Sequence, residues 1–221
     1  MVNGVTITGF DNKIKEYSGD LAIYGSGSQA MVIADYIQDI CNIKYIIEDD
    51  EYVDNSLKRL LEVVQNIKVL SPSDYIKLGS VVYKIPIIIG IGYSGSNHDR
   101  MRRYDYISKL GLSIAGYISP QSRISKNTHI GEGVIILDMV SVHPKASLSK
   151  GTFVSSGAVL GHDFICGEFS WIGSKVVFGG SVSIGSEVFL GIGSSIANSV
   201  NIGDSAIVGA GDVLSFVSCC D

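Results

Sequence analysis

Residues 172–191 read Ile172-Gly-Ser-Lys-Val-Val-Phe178-Gly-Gly-Ser-Val-Ser-Ile184-Gly-Ser-Glu-Val-Phe-Leu190-Gly191. A bulky apolar residue recurs at every sixth position, and Gly follows each one. The same step runs unbroken from Ile118 to Leu214, seventeen apolar positions in succession that include Ile136, Leu148, Leu160, Cys166 and Ile196. The next residue is Gly after nine of them and Ser or Ala after six, which leaves Leu137 and His143 as exceptions. The fifth place of each hexad is Ser, Thr, Ala or Val except at Phe164 and Asp212. A period of six matches neither the repeat of an amphipathic helix nor the alternation of a single strand.

Six residues suffice for one short strand and one tight corner. Three such units close a triangular coil of eighteen residues, and successive coils stack through strand-like hydrogen bonds. The recurring apolar residue then points into the prism and stacks on its equivalents above and below. Small or β-branched residues at the fifth place fill the narrow interior, and the residue after the apolar one sits at a corner where a Cβ would be crowded. At a strand spacing of about 4.8 Å the prism stands roughly 27 Å tall. The period thus predicts a parallel β-helix over residues 117–221.

The remaining composition narrows the function. The chain of 221 residues is 46% hydrophobic with 26 Gly, which the hexads explain. Its net charge of −5, without a basic run, argues against nucleic acid or an anionic membrane as partner. The longest apolar run, near Ile85–Ile91, is too short to span a bilayer, and no basic-then-apolar signal opens the chain. Of the cysteines, Cys166 falls at an interior hexad position, Cys219 and Cys220 are adjacent, and no CxxC spacing joins them or Cys41. A reduced, cytoplasmic protein without a structural metal is expected. A three-histidine zinc site is not expected either, because His129, His143 and His162 lie fourteen and nineteen residues apart and only the later pair can be neighbours.

Ahead of the coils, residues 1–19 read as an extension, either a tail or a short hairpin. Residues 20–116 read as a small α/β domain. A strand at Leu21–Tyr24 is followed by Gly25-Ser-Gly27-Ser28-Gln29-Ala30 and by a helical pattern through Met31, Val32, Ala34, Ile37 and Ile40. A second strand, Ile43–Ile47, ends in Glu48-Asp49-Asp50. Residues 51–80 are polar, with helical stretches around Leu57–Val64. A third strand, Ile85–Ile91, ends in Gly92-Tyr-Ser-Gly-Ser96, and a helix runs from His98 to Leu110. This is a βαβαβ unit, for which a parallel sheet with flanking helices is expected. The loop Gly25–Ala30 fits G-x-G-x-x-G/A between a strand and a helix, where glycines permit a tight turn and the helix start favours phosphate. Asp49 and Asp50, about twenty residues on, stand where an acid can reach a sugar hydroxyl. The unit is short for a full dinucleotide site, so a nucleotide-linked sugar is expected rather than NAD.

A short βαβ unit feeding straight into hexads, together with the run Ala158-Val-Leu-Gly-His162-Asp163-Phe-Ile-Cys-Gly-Glu-Phe-Ser170, resembles the sugar O- and N-acyltransferases of the sialic acid O-acetyltransferase type. Within these it is most similar to bacterial enzymes that N-acetylate nucleotide-linked 4-amino-dideoxy sugars. The resemblance implies left-handed coils, a homotrimer with acetyl-CoA between neighbouring β-helices, and a nucleotide-sugar against the glycine loop. It implies that His162 is the catalytic base and Asp163 its acidic partner. It places substrate at Gly25, Gly27, Ser28, Gln29, Asp49, Asp50 and Gly92, and coenzyme near Trp171, Gly180, Ile192, Gly209 and Ala210. Four departures accompany it. Ser28-Gln29 replaces a usual Gly-His, Trp171 replaces a second histidine, the third-strand loop, Gly92–Ser96, is longer than the usual form, and the family's Pro-containing closing segment has no counterpart in Ser215–Asp221.

The chemistry expected at His162 is proton abstraction from the attacking amine, with the carboxylate orienting the ring. Gly180 follows His162 by eighteen residues, one coil on at the same edge, and its N–H is a candidate oxyanion donor. His143, nearly one coil before His162, lines the same cleft or serves packing. His98 and His129 read as surface residues. Transfer to a hydroxyl, as in sugar or sialic acid O-acetylation, and a non-catalytic β-helix binding module remain the alternatives.

Overall fold

The computed structural model describes residues 4–8, 14–49, 60, 63–64, 67–95 and 97–215. The chain divides into two compact units, residues 2–116 and residues 117–221.

The second unit is a left-handed parallel β-helix. Two-residue strands pair in parallel, each with the strand eighteen residues later: Ile135–Ile136 with Phe153–Val154, Ser141–Val142 with Val159–Leu160, Ser147–Leu148 with Ile165–Cys166. The ladders form three faces, beginning at Tyr117–Ile118, Arg123–Ile124 and His129–Ile130. The interior is the predicted column of Ile136, Leu148, Val154, Leu160, Cys166 and Ile172, all 0% exposed. Phe164, a large side chain at a small-residue place, is fully buried. Its ring packs on Phe178 with centroids 4.5 Å apart. At the fifth place, the buried Ser170 hydroxyl links coils: its Oγ donates to the Gly185 carbonyl (2.9 Å) and accepts from the Val188 N–H (3.0 Å).

Two separate demands act at the corners. Glycine after the apolar residue is required by the next coil rather than by its own backbone angles: a Cβ on Gly161 would lie 2.1 Å from the Gly179 carbonyl oxygen, and one on Gly167 2.3 Å from the Gly185 carbonyl carbon. The positive φ falls two residues later, at every sixth position from Gly133 to Gly211, with Met139, Lys145, Asp163, Phe169, Lys175 and Glu187 among its occupants. Left-handed angles cost an ordinary residue roughly 1 kcal/mol or more. The inter-coil bond made by the same N–H offsets this, as from Asp163 to the Pro144 carbonyl (3.0 Å) and from Ser181 to the His162 carbonyl (2.8 Å).

The first unit is a parallel sheet. In chain order its strands are β1 (Gly4–Thr8), β2 (Ile14–Glu16), β3 (Asp20–Tyr24), β4 (Asn42–Ile47), β5 (Lys68–Leu70), β6 (Ile87–Ile89) and β7 (Ile114–Ile118). β1 and β2 pair antiparallel, Thr6 opposite Glu16. The rest run β5-β4-β3-β6-β7, each pair parallel. β5 corrects the expectation that residues 51–80 are only polar and helical. At three residues on the sheet edge, with Lys68 exposed, it carries no alternating signal. The third strand is shorter than Ile85–Ile91, spanning Ile87–Ile89. Helices are α1 (Ser28–Ile37), α2 (Pro72–Lys77) and α3 (His98–Lys109). α1 ends before the expected Ile40, and most of Leu57–Val64 lies outside the described residues. The core comprises Leu21, Ile23, Ile33, Ile46 and Ile88, each at most 1% exposed. Among the described residues no helix is long and apolar enough to cross a membrane.

Candidate functional site

The strand order of the first unit reverses between β3 and β6, and in open parallel sheets a crevice forms at that point, beyond the carboxyl ends of the strands. A cleft of about 520 Å³ opens there. Its walls are the β3–α1 loop with Ser28 and Gln29, Glu48 and Asp49 after β4, Gly90–Ser94 after β6, and Asp99 and Arg103 of α3. The glycines have distinct reasons. Gly25 takes φ +103°, with the Gly90 carbonyl oxygen 3.2 Å from where a Cβ would be. Gly90 is pressed against α1, so that a Cβ on it would lie 2.8 Å from the Ala30 Cβ. A Cβ on Gly27 would meet no protein atom within 4 Å. Gly27 opens α1 with no side-chain cap and no acid in the first turn, so that helix start faces the cleft uncovered.

Asp49 is held from two sides. The Tyr24 hydroxyl donates to Asp49 Oδ1 (2.9 Å), and Arg103 forms an ion pair with Oδ2. The Arg103 guanidinium also lies 5.9 Å from the centre of the Tyr24 ring. Burial first, then its bond to the Asp49 carboxylate, pushes the Tyr24 phenol well above its ordinary value. Glu48 is 7% exposed and accepts the Asp49 N–H (3.0 Å). Gln29 Nε2 is buried without a hydrogen-bond partner among the described residues. The structure therefore brings together Gly25, Gly27, Ser28, Gln29, Asp49 and Gly92. Asp50 lies outside the described residues. Glu48, Gly90, Asp99 and Arg103 escaped the sequence reading. The signal for two of them was present, as Asp99 and Arg103 stand four apart on one helical face. Gly90, not Gly92, marks the end of the third strand.

In the coils, His162, Gly180 and Asn198 stack on the edge between the second and third faces. His162 Nδ1 hydrogen-bonds Asp163 Oδ2 at 2.7 Å. Lys145, one coil earlier, approaches the other oxygen at 3.8 Å. The bond from His162, more than the Lys145 charge, holds the Asp163 carboxyl below the usual carboxylate range. The Nε2 edge of the ring lies over Gly180, where a Cβ would sit 2.2 Å from Nε2. Gly180 is thus needed to seat the imidazole. Its N–H, the expected oxyanion donor, donates to the exposed Asn198 Oδ1 (2.9 Å). His143 is exposed on the same edge.

Trp171 projects from the first face and stacks on Phe153, centroids 4.0 Å apart and planes at 16°. Ile192, 63% exposed, and Ala210 stack on the edge between the first and second faces. Gly193 and Gly211 beside them border open space. The Gly209 N–H is taken by Asp212 Oδ2 (2.9 Å), which caps the last corner. One chain therefore places His162 and Gly180 on one edge and Ile192 and Ala210 on another. Among the described residues no three His, Cys, Asp or Glu side chains gather as a metal set.

The architecture is a small α/β unit followed by a left-handed parallel β-helix. Three solved structures share it. A histidine-to-asparagine mutant of perosamine N-acetyltransferase from Caulobacter crescentus, in complex with CoA and GDP-perosamine, superposes with a TM-score of 0.75 at 23% identity over 90% of both chains. The acetyltransferase domain of PglB from Neisseria gonorrhoeae, in complex with acetyl coenzyme A, gives 0.73 at 21% identity, over 88% of this chain and 92% of that one. WeeI from Acinetobacter baumannii gives 0.62 at 15% identity over 89% and 94%. No family model matches the chain.

Proposed function

We propose that the protein is an acetyl-CoA-dependent N-acetyltransferase acting on a nucleotide-linked 4-amino-dideoxy sugar, in the cytoplasm, in the making of bacterial surface glycans. The observation that carries this reading is the His162–Asp163 pair. The bond to Asp163 commits Nδ1, so Nε2 is left as the acceptor for a proton. In this reading residues 20–116 hold the nucleotide-sugar and residues 117–221 carry out transfer.

Acetyl-CoA would supply the acyl group as an activated thioester. The exposed apolar edge at Ile192 and Ala210, with the unfilled space beside Gly193 and Gly211, fits an extended arm, and Trp171 offers a flat face beside it. His162 takes the amine proton as the amine bonds to the acyl carbon and the carbon–sulfur bond breaks. Asp163 steadies the imidazolium that forms. No covalent enzyme intermediate is required. The complexes of perosamine N-acetyltransferase with CoA and GDP-perosamine support the same pairing of ligands here.

The separation of the two edges supports a homotrimer, in which the His162 edge of one copy faces the Ile192 edge of the next. Such an assembly would have three times the chain mass of 23.6 kDa. Thiol release from acetyl-CoA, assayed with UDP-, dTDP- and GDP-linked 4-amino-dideoxy sugars, tests the whole reading. One amino-sugar should be turned over, and His162→Ala should lower the rate by about 10²- to 10⁴-fold. Turnover of a hydroxyl acceptor alone would assign O-acetylation, and undiminished transfer by His162→Ala would remove the proposed base. Mixing His162→Ala with Ala210→Trp chains should restore activity only if the site is shared between copies.

A further inference from the structure

The cleft of the first unit contains more hydrogen-bond donors than the chain itself uses. Among the described residues that line it, Arg103 is the sole cation, against Glu48, Asp49 and Asp99. Among the described residues its one polar partner is Asp49, engaged through a single terminal nitrogen. A guanidinium carries five N–H donors in a planar fork, so most of that fork remains available. Gln29 Nε2 is a second unused donor, buried in the same wall. Gly27 is a third sign, because nothing in the chain occupies the space beside it. An uncapped helix start, an unspent fork and an orphaned amide around one cavity suit a ligand rich in acceptors and negative charge.

Building on the nucleotide-sugar reading of this cleft, we propose that Arg103, parked on Asp49, is the residue that grips the diphosphate, with the Gln29 amide as second donor. Asp49 serves two ends. It holds the guanidinium over Tyr24 while the cleft is empty, and it compensates a cation that would otherwise stand alone in an acid-lined cavity. On binding, the free edge of the fork takes phosphate oxygens bidentately without breaking the bond to Asp49. Selectivity follows. A nucleoside lacking phosphates leaves Arg103 unused, so the diphosphate rather than the base or sugar supplies most of the affinity.

The test is equilibrium binding to the full chain, by titration calorimetry, of UDP, GDP, uridine and guanosine. The readout is the ratio of diphosphate to nucleoside affinity. Arg103→Gln should lower that ratio roughly 10- to 100-fold, the loss of a charged hydrogen-bonded contact plus the exposed repulsion of Asp49. Arg103→Lys should restore part of it. Adding Asp49→Asn to Arg103→Gln should raise the ratio again, because the uncompensated carboxylate is gone, an effect that a merely structural Arg103 would not produce. Gln29→Ala should lower the ratio about threefold. An unchanged ratio in Arg103→Gln, with wild-type binding intact, overturns the proposal alone. Absence of wild-type binding to all four, and to dTDP and thymidine measured alongside them, overturns the nucleotide-sugar reading and the proposal with it.

Discussion

The two units solve the same problem with different materials. The coils bury a column of aliphatic and phenyl side chains, with Cys166 the one ionisable member of that cluster. The sheet unit buries Tyr24, Tyr75, Cys41, Glu48 and Arg100 among its aliphatic residues. In the coils, chemistry sits on the edges and leaves the interior alone. In the sheet unit, ionisable groups are part of the core, and the cleft opens beside them. The coil core should therefore be sensitive to shape and less sensitive to pH than the sheet core, which should respond to both.

The largest expected effect is a cavity in the column. Phe164→Ala should cost about 4 kcal/mol, read from urea unfolding by the emission of Trp171, the single tryptophan. A loss under about 1 kcal/mol would show that the coils relax around missing volume. Next comes Gly167→Ala, where the added methyl meets backbone that cannot swing aside, at about 2–3 kcal/mol.

Alkaline titration separates the units directly. Burial pushes the Cys41 thiol from 9.0 up to about 11, and burial likewise raises Tyr24 and Tyr75. A raised acid group stabilises the fold fully below its unfolded value, and that contribution is lost as pH climbs to the folded one. Helical ellipticity, which among the described residues comes from the sheet unit, should thus weaken between pH 9 and 11 while Trp171 emission holds. Simultaneous loss of both signals would break the comparison. The smallest effect is Gly27→Ala: stability within about 0.5 kcal/mol of wild type, with nucleotide diphosphate affinity reduced about tenfold.

Legibility followed the same division. The interior column could be read because each role is repeated at every coil, so Ile118, Val154 and Leu190 vouch for one another. The left-handed corner positions could not, since Phe169, Lys175 and Glu187 have no preference for φ > 0 and take it only because a neighbouring coil accepts their N–H. The His162–Asp163 pair is visible as adjacent residues. The capture of the Gly180 N–H by Asn198 is not, because it depends on where an amide points one coil away. In the sheet unit nothing repeats. The loop Gly25–Ala30 was readable from spacing and Asp49 from position, whereas Arg103 reaches Asp49 across 54 residues of chain and β5 has too few residues for a pattern.

The eighteen-residue register also sets what the gene can do to this protein. Excision of one hexad, say residues 173–178, would leave every interior position apolar and every rung paired. Everything downstream would nevertheless turn by a third of a revolution about the prism axis. Asn198 would leave the edge it shares with His162, and Ile192 and Ala210 would move to a different one. Excision of a full coil changes only the height. Indels in multiples of six thus spare folding, while only multiples of eighteen keep the edges in phase, and loss of activity without loss of the fold is the mark of the difference.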